Sequence, residues 1–332
     1  MVSRHEQEPS SNPPEKINGN FKGKDILSMD QFDIKSIDNL FQRVGEMRDI
    51  ALNAKPCDML QGKQAVLIFY EPSSRTRGSF EAAMKQLGGD IIVVENPQQF
   101  SSVAKGETLG DTIRTFEAYS DLIVLRHPET GSLKIAADAA EFVPLINAGD
   151  GGQGEHPTQA LLDLYTISQS AGRLDHLRGV LAGDMLNGRT VKSLIRGLAL
   201  YPGNKLYLLS PEELKLSRED FAEFSRREVE LEEITSEEEI PNDANFWYWT
   251  RVQKERFANQ DNYEKLKNKF IVSEKLLEEH GNPYMILMHP LPRVGEIDTR
   301  VDEDPRAVYL RSQIRNGMYV RMALLGLVLE KI

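Results

Sequence analysis

Five polar side chains, Ser73, Ser74, Arg75, Thr76 and Arg77, stand in a row behind Tyr70-Glu71-Pro72 and the apolar run 65–69. A short, continuously apolar run fits a strand covered on both faces, and residues 75–87 have helical spacing. Three hydroxyls and two guanidiniums therefore crowd one strand-to-helix junction. Helix N-termini carry unpaired N–H groups and a partial positive potential, so this junction suits a phosphate or another compact anion. An ordinary helix cap would use only one such residue. Glu71 is placed to orient an arginine, and Pro72 to fix the turn.

Other polar groups stand at similar junctions. Ser101 and Lys105 lie in Ser101-Ser102-Val103-Ala104-Lys105-Gly106, ahead of a helical pattern at 107–119. A flexible loop there can deliver one positive charge to an anion, although alone the stretch is a common surface arrangement. Arg126-His127-Pro128 follows the apolar run 122–125, at the edge where open parallel sheets place ligands. Arg126 can meet the same anion as Arg75 or serve in a plain salt bridge; the proline after His127 marks a turn. His156 precedes a helical pattern at 158–170, with Gln159 one turn onward. The imidazole can donate to a polarised carbonyl or simply cap the helix. Neither the spacing nor the acidic neighbours make a metal site.

In the second half, Gly183-Asp184 and Gly188-Arg189-Thr190 frame a turn between a strand pattern and a helical one. Arg189 suits a bidentate contact with a carboxylate. A Gly-bearing turn also raises dinucleotide binding, but the GxGxxG fingerprint is absent. Arg251-Val252-Gln253 follows the aromatic run Phe246-Trp247-Tyr248-Trp249, and continued alternation would set Arg251 and Gln253 on one face. The two tryptophans are expected as scaffold. Pro290 and Leu291 sit in His289-Pro290-Leu291-Pro292-Arg293, behind another hydrophobic run. Prolines there can hold backbone carbonyls outward as acceptors for an amide.

The elements that must position these groups alternate. Strand patterns at 65–69, 91–94, 122–125 and 143–146 are interleaved with helical ones, and the alternation restarts at 179–183, 206–209, 245–249 and 284–288. Such alternation predicts an α/β protein of two domains, each with a mostly parallel sheet covered by helices. The 332 residues suffice for about two domains. Expected boundaries are a flexible tail over 1–20, domains over 21–155 and 156–305, and a helix within 306–332 packing back across the domain boundary. Residues 220–227 and 236–239 read as charged surface segments. No run approaches the roughly 18 apolar residues of a membrane span, and the polar start has no secretory core. A net charge of -11 opposes a general nucleic-acid or anionic-membrane role, so any basic pocket must be local. The single cysteine, Cys57, excludes an intrachain disulfide and fits a reducing, cytoplasmic setting.

Taken in order and spacing, these motifs closely resemble the aspartate carbamoyltransferase catalytic chain, within the aspartate/ornithine carbamoyltransferase family, from about Gly23 onward. The resemblance implies transfer of the carbamoyl group of carbamoyl phosphate to the amine of L-aspartate, an early step of pyrimidine biosynthesis, with no cofactor and no metal. It places the phosphate on Ser73, Ser74, Arg75 and Thr76, with Arg126 bridging phosphate and carbonyl. Thr76, Arg126 and His156 would surround the carbonyl oxygen and, with Lys105, form the catalytic set. Gln159 and the carbonyls of Pro290 and Leu291 would orient the carbamoyl amide. Arg189 and Arg251, assisted by Gln253, would hold the two aspartate carboxylates. A homotrimer is also implied, with Ser101 and Lys105 entering the adjacent chain's site; association with separate regulatory chains stays open.

Two positions depart from the family pattern. Ser74 stands where threonine is common, keeping the hydroxyl and losing a methyl contact. The Gly151-Gly152-Gln153-Gly154-Glu155 approach to His156 is one residue longer than usual. Ornithine carbamoyltransferase is the nearest alternative, but a cationic amine cannot exploit Arg251, and Pro290 stands where that enzyme is expected to carry cysteine. Another amino-acid carbamoyltransferase or a noncatalytic relative completes the alternatives. The noncatalytic one predicts loss of a charge-stabilising residue, and all are present.

Overall fold

Each apolar run read as a strand is a parallel strand, and the polar residues behind it open the loop or helix that follows. The computed structural model describes residues 12–53, 57–254, 260–267 and 269–332. The chain divides into two units, Met1–Thr158 with Gly317–Ile332, and Gln159–Asn316.

In the first unit, α1 (Ile34–Leu52) starts at Asp33, whose side chain accepts the Ser36 N–H at 2.8 Å, and it buries Ile37, Leu40, Val44 and Met47. There follow β1 (Gln64–Phe69), α2 (Ser74–Gln86), β2 (Asp90–Glu95), α3 (Pro97–Phe100), α4 (Leu109–Glu117), β3 (Leu122–His127), α5 (Ser132–Ala139) and β4 (Leu145–Asp150). The sheet order is β2-β1-β3-β4, with every pairing parallel. Phe69 lies in register with Arg126, and the Tyr70 N–H bonds the Arg126 carbonyl at 2.9 Å. The polar stretches behind β1 and β3 thus emerge side by side.

The second unit takes α6 (Pro157–Ala171) from Gln159 onward, then β5 (Arg178–Ala182), α7 (Arg189–Leu198), β6 (Asn204–Leu209), α8 (Arg218–Phe224), β7 (Val229–Ile234), β8 (Phe246–Trp249), α9 (Gln260–Leu266), α10 (Glu274–His280) and β9 (Ile286–Met288). Its sheet is again parallel, in the order β7-β6-β5-β8-β9. The last helix, α11 (Ser312–Val328), gives its first residues to this unit and the rest, from Gly317, to the first. Both units are therefore α/β, each a parallel sheet flanked by helices. Trp247 and Trp249 are fully buried scaffold, their rings 5.7 Å apart.

Three expectations need correction. The loose tail does not extend to residue 20. Ile17 is fully buried, and the Gly19 N–H bonds Ser36 Oγ at 2.9 Å; residues 1–11 lie outside those described. Residues 220–227 are not merely a charged surface segment, because α8 covers most of them and buries Phe224. The aromatic strand does not continue to Gln253. It ends at Trp249, so a loop and not strand alternation presents Arg251 and Gln253.

Candidate active site

The first unit gathers its polar groups where β1 and β3 end. Ser73 is the N-cap residue of α2, yet its hydroxyl makes no capping bond. The plain cap explanation therefore fails at the N-cap position itself. Ser74 and Arg75 are exposed on the first turn and Thr76 is buried. Arg77 turns away from this group, its Nε 3.0 Å from Glu95 at the end of β2, so one of the two guanidiniums belongs to a structural ion pair. Arg126 is held from two sides. Its Nη2 pairs with Glu71 at 3.1 Å, and Nη1 donates to the Ala148 carbonyl at 3.3 Å. Glu71 thus orients an arginine, and the salt bridge fixes Arg126 beside the hydroxyl cluster. His127 is structural. Its Nδ1 accepts the Glu129 N–H at 3.1 Å, its ring lies 4.5 Å from that of Tyr70, and burial pushes its pKa down despite Glu129 and Glu71.

His156 is buried at the entrance to α6. The Gly-rich loop before it is tied at both ends. The Asp150 N–H bonds the Glu155 carbonyl at 3.1 Å, while the Glu155 carboxylate takes Ser28 Oγ at 2.5 Å and the Met29 N–H at 3.0 Å. Gly154 is demanded by this closure, since a Cβ there would lie 2.0 Å from the Asp150 carbonyl oxygen. Arg321 of α11, itself buried, reaches Ser79 in the middle of α2 at 3.1 Å and Thr158 at the start of α6 at 3.4 Å, tying the two helices. Ser101 caps the 3-10 turn Ser102–Lys105, accepting the Val103 N–H at 3.1 Å and donating to the Pro97 carbonyl at 2.7 Å; Lys105 ends that turn, exposed.

The second unit brings together the ends of β5, β8 and β9. Gly183, at φ +109°, leaves β5 against Thr250, where a Cβ would sit 2.1 Å from the Thr250 carbonyl oxygen. Asp184 is wholly buried and accepts from the Asn187 N–H at 2.9 Å and the Gln253 N–H at 3.4 Å. Burial pushes its pKa up, against these hydrogen bonds and the Arg251 charge. Gln253 also donates through Nε2 to the Asn187 carbonyl at 2.9 Å, leaving the second hydrogen of that amide for another acceptor. Asp184 thereby joins the loop bearing Arg189, at the first position of α7, to the one bearing Arg251. Behind β9, the Leu291 N–H donates to His289 Nδ1 at 2.8 Å, so Nε2 carries the imidazole proton and donates to Glu296 at 2.7 Å. Leu291 is held at φ +56°, a backbone state that non-glycine residues rarely adopt. Gln159 stands at the start of the α6 portion of this unit. Among the described residues, no group of three or more His, Cys, Asp or Glu could hold a metal ion.

Family models match almost the whole chain. Residues 24–169 fit the aspartate/ornithine carbamoyltransferase carbamoyl-P binding domain, and residues 175–328 fit the Asp/Orn binding domain. The chain belongs to the aspartate/ornithine carbamoyltransferase family. Among its relatives in that family, chloroplastic aspartate carbamoyltransferase 1 of Pisum sativum is 48% identical over 93% of this chain and 79% of its own length. The catalytic subunit of M. jannaschii aspartate transcarbamoylase superposes with TM-score 0.84 at 41% identity, covering 92% of this chain and 98% of that one. Aspartate transcarbamoylase of Trypanosoma cruzi, in complex with carbamoyl phosphate and aspartate, gives TM-score 0.86 at 37% identity, with 96% and 99% covered.

Within this carbamoyltransferase, the supporting acids escaped sequence reasoning. Glu155 lies unmarked in a Gly-rich loop, and Asp184 reads only as a turn residue. Asp163 carried a signal, being an acid inside the otherwise apolar stretch Ala160-Leu161-Leu162-Asp163-Leu164.

Proposed function

We infer that the chain transfers the carbamoyl group of carbamoyl phosphate to the amine of L-aspartate, giving N-carbamoyl-L-aspartate and phosphate in pyrimidine biosynthesis. The observation that carries the choice of acceptor is the joining of the Arg189 and Arg251 loops through buried Asp184. Two guanidiniums carried on joined loops match a dicarboxylate and repel a cationic side chain such as that of ornithine.

In this assignment Ser73, Ser74, Arg75 and Thr76 take the phosphate. Arg126, Thr76 and His156 face the carbonyl oxygen, Gln159, Pro290 and Leu291 accept from the carbamoyl NH2, and Arg189, Arg251 and Gln253 hold aspartate. The amine attacks the carbonyl carbon directly and an oxyanion develops. The C–O bond to phosphate then breaks, with the amine proton passing within the bound reactants. No covalent enzyme intermediate is needed. Donors fixed before the reaction stabilise the charge as it appears, and the carboxylate clamps supply orientation. The active form in this proposal is a cytoplasmic homotrimer in which Ser101 and Lys105 serve a neighbouring chain's site. The exposed position of Lys105 supports this, since its own unit does not bury it.

The test is an assay of purified protein with carbamoyl phosphate and each amine, with products identified by mass. N-carbamoyl-L-aspartate with one phosphate per product is expected; carbamoylation of ornithine and not aspartate overturns the assignment. For the trimer, mixing Arg75→Ala and Lys105→Ala chains should restore activity after verified subunit exchange, and no recovery counts against shared sites.

A further inference from the structure

Asp163 lies on α6 one turn beyond Gln159 and has no exposed surface. Three side chains of its unit aim hydrogens at it. Gln159 Nε2 stands 3.1 and 3.2 Å from the two carboxylate oxygens, Gln313 Nε2 donates at 2.8 Å, and the Tyr248 hydroxyl donates at 2.9 Å. The Tyr248 proton is firmly held, because burial and the neighbouring Asp163 charge push its pKa well above the ordinary tyrosine value.

A carboxylate accepts and does not donate, so any amide that faces it must turn its NH2 inward. Both glutamines are thereby fixed against flipping. The oxygen of Gln313 points the other way and accepts the His289 N–H at 3.0 Å, at the start of the stretch that carries Pro290 and Leu291. Gln159 is constrained in the same sense. With its nitrogen committed to Asp163, its Oε1 is the end left to meet a ligand. One buried acid therefore sets two things, the polarity of the Gln159 amide and the seating of the Pro290–Leu291 carbonyls.

We propose that Asp163 is a positioning residue that makes the site select a donor bearing NH2 over the isostere bearing CH3, which rests on the functional reading above. The carbamoyl NH2 offers two hydrogens, and the site matches them with oxygens only. A site built to accept from N–H groups rejects a methyl because its buried acceptors are then left unpaired. The rejection holds only while Gln159 cannot turn its own NH2 toward the ligand, and Asp163 is what prevents that turn.

Acetyl phosphate, with a methyl where carbamoyl phosphate has its NH2, is the probe. Its inhibition constant against carbamoyl phosphate, divided by the KM for carbamoyl phosphate, measures the selectivity. Asp163→Asn offers Gln159 a carboxamide that satisfies either flip, and the ratio should fall at least about 10-fold in protein whose thermal unfolding stays cooperative. Gln313→Met removes one donor to Asp163 and the acceptor for His289, and should lower the same ratio about 3-fold. If Asp163→Asn does not fold, Gln313→Met decides. A purely structural role would lower folded yield or kcat and leave the ratio unchanged, which overturns the proposal. A native chain that makes no N-carbamoyl-L-aspartate overturns the functional reading instead, so the two failures are told apart.

Discussion

The first unit concentrates the groups proposed to bind ligand, whereas the second disperses them. Ser73, Ser74, Arg75 and Thr76 are consecutive at the start of α2, with Arg126 one strand away in register. Gln159, Arg189, Arg251 and Leu291 are far apart in sequence, and buried acids hold the stretches that carry them. Asp163 lies beneath Gln159, Asp184 between two loops, and Glu296 behind His289. The contrast matches the ligands proposed for the two sets. A phosphate is compact and equally charged on all sides, so one helix start with short hydroxyls can surround it. An amino dicarboxylate and a planar amide carry separated groups that must be met at defined angles from several loops, and every such loop needs its own anchor.

The comparison breaks first at the arginines. Arg251→Ala should lower kcat/KM for aspartate by about 4 kcal/mol, close to 1000-fold, while the KM for carbamoyl phosphate changes less than about 3-fold in steady-state kinetics. In the first unit His156→Ala should lower kcat by about 3 kcal/mol, roughly 100-fold, with the KM for aspartate kept. Supporting acids should give smaller effects that respect the same division. Glu71→Gln loosens Arg126 and should lower kcat about 10-fold, whereas Asp184→Asn should raise the KM for aspartate about 10-fold. If Asp184→Asn altered the carbamoyl phosphate KM as strongly, the acids would be general scaffolding and the contrast would fail.

An acid away from both ligand sets should leave activity untouched. Asp25 accepts the Leu145 N–H at 2.8 Å, and burial pushes its pKa up to about 6. The folded chain then keeps a proton that the unfolded chain loses near pH 4, so the stability from this group is present below about pH 4 and lost as pH rises through about 6. Asp25→Asn should flatten this loss and raise stability at pH 7 by up to about 3 kcal/mol, read from urea unfolding at several pH values, with kcat unchanged.

The same contrast governs what the sequence made legible. Consecutive hydroxyls and an arginine behind an apolar run suggest an anion site from local chemistry alone. Arg189 and Arg251 suggest carboxylate contacts separately, but only the fold places Asp184 between their loops and joins them. Strands buried on both faces were visible as apolar runs. The edge strand β7 was not, because Glu230, Glu232 and Glu233 break its apolar pattern. Lys205 on the neighbouring strand pairs with Glu230 at 2.7 Å and Glu232 at 2.8 Å, a charged edge of the kind that discourages further strand pairing. Arg77 misled for the opposite reason. It has the right type in the right cluster, and only the register of β1 and β2 shows that Glu95 claims it.

The division of labour is tested most directly by varying both substrates for Arg75→Ala and Arg251→Ala side by side. A crossed pattern is predicted, with Arg75→Ala raising the KM for carbamoyl phosphate and sparing that for aspartate, and Arg251→Ala doing the reverse. If each variant, still folded, raised both constants equally, the assignment of the two ligand sets to the two units would be contradicted.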